Sequence, residues 1–120
     1  MIITHLLNIS LADGEVIKIE PMNEKVKISY KTWNENLLVI EFIGYIRMID
    51  NRSIGNDVEH IQVDDSEDLR TIMIEFDSIT EDELNESKKY SFISSWGDYS
   101  LLTIYAKNIK VLSIVEADNQ

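Results

Sequence analysis

Leu37-Leu38-Val39-Ile40-Glu41-Phe42-Ile43-Gly44-Tyr45-Ile46-Arg47-Met48-Ile49 is the stretch whose pattern decides the fold. Leu38, Ile40, Phe42, Ile46 and Met48 alternate and make one face wholly apolar. The other face mixes Leu37, Val39, Ile43 and Tyr45 with Glu41 and Arg47. A period of two means a strand, and a strand apolar over most of both faces belongs inside a sheet rather than at its rim. Gly44, which interrupts the pattern, marks a bulge or a bend.

Upstream, Trp33-Asn34-Glu35-Asn36 reads as a turn, preceded by a strand in which Val26, Ile28 and Tyr30 alternate with lysines. Leu7, Ile9 and Leu11, then Ile17 and Ile19, alternate on either side of Ala12-Asp13-Gly14. A three-residue loop there would pair Ile9 with Ile17 and Leu7 with Ile19 on one face. It would also put Gly14 in the left-handed position of a bulged hairpin. Pro21 cannot donate to a ladder and is expected to end that strand.

Downstream, residues 50–68 are the least regular and carry the densest acids, with a helical turn expected around Asp57 to Ile61. Ile72, Ile74 and Phe76 suggest another strand. Thr80 and Glu83 form a capping box, with Ile79 and Leu84 placed as a hydrophobic staple, so a short helix is expected over residues 81–88. Tyr90, Phe92 and Trp96 then alternate up to Gly97-Asp98. A two-residue type II′ loop at that point would pair Trp96 with Tyr99 and Ile93 with Leu102. A last strand runs from Ile109 to Val115. The expectation is a single domain over residues 1–120, mainly β. Its six to eight strands would form an antiparallel sandwich or strongly curved sheet, with one short helix.

At 120 residues and 44% hydrophobic composition the chain can bury a core without staples. It has no cysteine, which excludes a disulfide scaffold, a thiolate metal site and a cysteine nucleophile. No basic, uninterrupted apolar leader opens the sequence and no apolar run is long enough for a membrane helix, so cytoplasmic residence is the expectation. The formal charge is −11. Residues 50–86 hold 13 acids against Arg52 and Arg70, and the remainder balances nine acids with nine bases. That asymmetry argues against a nucleic-acid partner, which would need a positive face. It suits either solubility or encounter with a basic protein.

Catalytic motifs are not apparent. His60 lies among Asp57, Glu59, Asp64 and Asp65 but without metal-ligand spacing, and His5 falls in a strand. The run Asp64-Asp65-Ser66-Glu67-Asp68 invites a calcium reading, but Gly55 comes well before it and the spacing of a calcium loop fails. Ser53, Ser94 and Ser95 lack a nucleophile elbow. Four glycines in all leave no phosphate-binding loop. No enzyme activity, cofactor or metal is expected. The candidate partner-binding residues are Asp57, Glu59, Asp64, Asp65, Glu67 and Asp68 for charge, with the turn residues Trp33 and Trp96 as anchors.

The chain resembles the small acidic β-rich immunity proteins of bacterial polymorphic and contact-dependent toxin systems. The residues that carry the likeness are Trp33-Asn34 leading into Leu37-Leu38-Val39-Ile40-Glu41-Phe42, the acidic middle, Tyr90-Ser91-Phe92, and Leu102 to Ala106 with Ile109-Lys110-Val111. That family has no diagnostic motif, and no binding residue carries over from it. The resemblance implies an inhibitor that occludes a basic toxin domain. The alternative is a stand-alone β module that binds a small ligand or another protein without catalysis. Replacing the cap, Thr80→Ala, is expected to cost about 1 kcal/mol in a urea melt.

Overall fold

The strand centred on Ile40 forms, and it bends at its glycine. A computed structural model describes residues 1–65 and 86–116. Its strands are β1 (Ile2–Ile3), β2 (His5–Leu6), β3 (Ile9–Ser10), β4 (Gly14–Met22), β5 (Lys25–Lys31) and β6 (Leu37–Ile43). They continue with β7 (Arg47–Asp50), β8 (Asp57–Asp65), β9 (Lys88–Ser94), β10 (Ser100–Ala106) and β11 (Asn108–Val115). All but β2 and β3 belong to one sheet, in the order β11-β6-β5-β4-β8-β9-β10-β7, with β1 also against β8. The strand pairings are antiparallel.

The two ends of that path are neighbours in the chain. β6 pairs with β11, from Leu37↔Val115 to Ile43↔Asn108. β7 pairs with β10, from Arg47↔Tyr105 to Asp50↔Leu102. The two pairs form one two-stranded ribbon bent at Gly44, whose φ is 70°. Lys107 N–H donates to the Ile43 carbonyl at 2.9 Å and Ile46 N–H to the Tyr105 carbonyl at 2.8 Å, so backbone bonding continues through the corner. The sheet curls without closing into a barrel, and its halves face each other. Strand segments exceed the six to eight expected because the bend divides two long strands into four and the first ten residues add three two-residue segments.

Aromatic rings join the halves. Phe42 on β6 meets Tyr90 edge-on, with centroids 5.2 Å apart, and lies 6.0 Å from Phe92. Tyr30 on β5 is 6.2 Å from Phe92. Such pairs add about 0.5–1.5 kcal/mol each beyond the area they bury. Val26, Ile28, Leu38, Ile40, Ile61 and Ile104 complete the packing and are fully buried. Among the described residues no helix is long and apolar enough to cross a membrane.

Several local expectations are corrected. The first strands do not form the expected hairpin. Leu7 and Asn8, both with positive φ, turn the chain so that His5 pairs with Ser10 and Leu6 with Ile9. β4 instead pairs with β5 and, at Gly14 and Glu15, with β8. The left-handed residue of that turn is Asp13, not Gly14. Gly14 is needed for a different reason: a Cβ there would stand 2.5–2.6 Å from the Tyr30 ring and hydroxyl. Pro21 does not end its strand, because β4 runs to Met22 and Pro21 faces Val26. The two-residue loop closes on Met22↔Lys25, so hydrogen-bond alternation turns the Pro21 nitrogen away from β5.

Residues 57–61 are strand, not helical turn. After Gly97 the register is also different. Ile93 pairs with Ser100 and Phe92 with Leu102, because five residues rather than two connect β9 and β10. The expected strand at Ile72–Phe76 lies outside the described residues. So does most of the helix expected over residues 81–88, although Lys88 already belongs to β9. Gly14→Ala is expected to lower stability by roughly 1–3 kcal/mol in a denaturant melt, because the Tyr30 ring behind it cannot yield without losing its hydrogen bonds.

Candidate functional site

The acids singled out on β8 divide between its two ends. Asp57 and Glu59 lie at its start and Asp64 and Asp65 at its finish. Seven residues at ~3.3 Å per step set Asp57 some 23 Å from Asp64. Asp64 accepts a hydrogen bond from Gln62 Nε2 at 2.9 Å and stands opposite Lys89, while Asp65 stands opposite Lys88. A cleft of about 420 Å³ lies there, lined by Met1, Val63, Asp64, Asp65, Glu86, Ser87 and Lys88. Glu67 and Asp68 lie outside the described residues.

The start of β8 is a different environment. Trp96 on the β9–β10 connection is 79% exposed, and its Nε1–H donates to Asp57 Oδ2 at 3.2 Å. The backbone holds this connection in place. Ser95 N–H donates to the Asp57 carbonyl at 2.9 Å, and Trp96 N–H donates to Ser94 Oγ at 3.0 Å. Ser95 Oγ is 3.5 Å from Glu59 Oε2. Trp33, on the β5–β6 turn, is 67% exposed and lines a shallow cleft of about 210 Å³ with Asp57, Asp13, Glu15, Glu35, Lys31 and Thr32. Thr32 fixes that turn, donating through Oγ1 to Asn34 and receiving the Asn36 N–H at 3.0 Å. Topology therefore brings Trp33, Trp96, Asp57 and Glu59 to one end of the molecule.

Asp13 and Glu15 were not among the sequence candidates. Neither lies in the acidic window, and no spacing links them to Asp57. The β4–β8 register does: Glu15 stands directly opposite Asp57. Like charges across an antiparallel pair oppose folding. On its other side Glu15 faces Lys31, but Lys31 Nζ lies 4.0 Å from Glu35. No described residue forms an ion pair with Asp13, Glu15 or Asp57.

Beneath this surface Tyr30, fully buried, donates its hydroxyl hydrogen to the Leu11 carbonyl. Burial, then the charges of Asp13, Glu59 and Asp57, push the Tyr30 phenol well above its usual range, against the opposing effect of a hydrogen bond from Gly14 N–H. Burial also raises Tyr90. His5 Nδ1 is 2.9 Å from Thr4 Oγ1 and exposed, and His60 is half-buried opposite Ile93. Among the described residues no group of three or more histidines and carboxylates is placed to hold a metal ion. Ser53 is fully buried with its hydroxyl unpartnered. Ser94 is buried and Ser95 is bound up in the Trp96 turn.

The raised Tyr30 pKa fixes the sign of one pH effect. The fold favours the neutral phenol, so its contribution is complete below pH 10 and is lost as pH climbs past 10 toward the folded value. Tyr30→Phe removes one of two donors to the Leu11 carbonyl, which keeps the Gly14 N–H at 3.1 Å, and is expected to cost about 0.5–1.5 kcal/mol at neutral pH. The same variant should lose stability less steeply than the parent between pH 10 and 12, as read in melting curves across that range. No family model, curated protein or solved structure matches the chain.

Proposed function

We propose that this chain is a protein-binding inhibitor that engages a basic partner through the end bearing Asp13, Glu15, Asp57, Trp33 and Trp96. In the light of the sequence resemblance, the partner favoured is a cognate bacterial toxin domain, blocked by occlusion. The observation that carries the reading is the Glu15↔Asp57 pair. Two carboxylates face each other across a ladder, beside two large exposed indoles. The repulsion costs the isolated fold, and most of both indole surfaces is left in water. A cationic partner would relieve the repulsion, and burying the indoles would supply the desolvated anchors that dominate interface energies.

The acids at the far end of β8, Asp64 and Asp65, add to the overall field that steers a basic partner but stand outside this contact. Steering raises the association rate and fades with salt, whereas the anchors govern dissociation. The test uses Asp13→Asn, Glu15→Gln and Asp57→Asn together, with the protein encoded by the adjacent gene as ligand. Association should slow by about tenfold at low salt, with a flatter salt dependence and weaker protection of the partner's target. If the triple variant associates and protects as the parent does, with the same salt slope, the charge is a solubility device and the proposal fails.

A further inference from the structure

Resting on the reading just given, we propose that the cleft beneath Trp33 receives an arginine side chain of the partner. Its guanidinium would donate to Glu15 and to Asp57 Oδ1 while lying on the Trp33 indole. Asp57 makes this specific. Its Oδ2 is occupied by Trp96 Nε1–H at 3.2 Å, which fixes the carboxylate, and Oδ1 takes no hydrogen bond from the described residues. Glu15 stands directly opposite on β4, and Trp33 lines the same cleft. Two acceptors on adjacent rigid strands, with an aromatic face beside them, suit a planar group with several donors.

Charge complementarity selects a cation, because Asp13, Glu15, Glu35 and Asp57 line the cleft against Lys31 alone. Among cations, guanidinium is the more weakly hydrated, donates in a fork and stacks on aromatic faces, whereas ammonium is a compact, strongly hydrated point charge. The register of the two acids suits this group. Directly opposed residues of an antiparallel pair set their Cβ atoms about 4.5–5.5 Å apart, a separation that one guanidinium spans with hydrogen bonds to both carboxylates. In this arrangement Trp33 is the stacking platform. Trp96 is a positioning residue that acts through Asp57.

The test compares two nine-residue peptides, one alternating arginine with glycine and the other lysine with glycine, by titration calorimetry at low salt. The parent protein is expected to bind the arginine peptide at least about threefold more tightly than its lysine counterpart. Trp33→Leu should erase that preference while leaving lysine-peptide affinity within about twofold, and Trp33→Phe should restore most of it. Trp96→Phe, which keeps the ring but removes the N–H, should weaken arginine binding less than Asp57→Asn does. Since Trp33 is exposed and its ring makes no hydrogen bond to the described residues, melting curves of the two Trp33 variants should overlay the parent's. Equal affinities for the two peptides, or an arginine preference that survives Trp33→Leu, would overturn the arginine cleft and leave the basic-partner reading standing. Failure to bind either peptide while the adjacent gene product still binds would also overturn it. Failure of all three ligands sinks both.

Discussion

At Gly44 the backbone adopts a φ of 70°, and the Lys107 stem lies 2.8 Å from where a Cβ would stand. A side chain at this position would meet both strain and a collision. The bend lets two long antiparallel strands turn the corner together, with the Ile43 and Tyr105 carbonyls still receiving backbone hydrogens. Without it, β6 and β7 would run straight and the halves of the sheet would lie open to water. With it, Phe42 on one half reaches Tyr90 and Phe92 on the other. Lys107 adds to the corner by covering Gly44 with its methylenes and carrying its ammonium to Glu86, 3.3 Å away.

A sheet curled this way collects its connections at two ends. Gly14, the Trp33 turn, Asp57 and the Trp96 turn gather at one end because β4, β5, β8 and β9 each begin or finish there. Tyr30 ties this end to the core. Its ring presses on Gly14, and its hydroxyl holds Leu11, so the Asp13 turn cannot drift away from Asp57. The surface acids act back on the core in turn, since Asp13, Glu59 and Asp57 help to hold that phenol neutral. Packing and surface charge are thus parts of one network at this end.

Much of this could be read from the chain. The strands around Ile28 and Ile40, the last strand at 109–115 and the bend at Gly44 all followed from alternation and one glycine. β8 did not, for a physical reason. A register shift between Val58 and His60 adds one residue, so the buried positions are 58, 61 and 63. A spacing of three followed by two imitates a helical turn. A similar irregularity between Val16 and Lys18 turns Ile17 out toward solvent and spoils the hairpin read around it. The Leu7-Asn8 turn escaped notice because leucine rarely adopts positive φ. Trp33 and Trp96 were legible as turn residues, but Asp13 and Glu15 were not legible as members of the site. Only the pairing of β4 with β8, 42 positions apart at Glu15 and Asp57, creates that neighbourhood.

That pairing also shows where local consistency gives way. Along most of the ladders, opposed charges are matched: Lys27 and Lys110 face Glu41, and Lys88 and Lys89 face Asp65 and Asp64. A sequence selected for stability alone would treat position 57 the same way, and a lysine there would complement Glu15. The chain instead keeps an acid opposite an acid, fixes one of its oxygens with an exposed indole, and sets a second exposed indole across the cleft. Departures from local agreement concentrate where function imposes a cost on the fold. Among the described ladders the like-charge departure lies at one cross-strand pair, held by rigid strands on either side, and the proposed cation contact would use that rigidity.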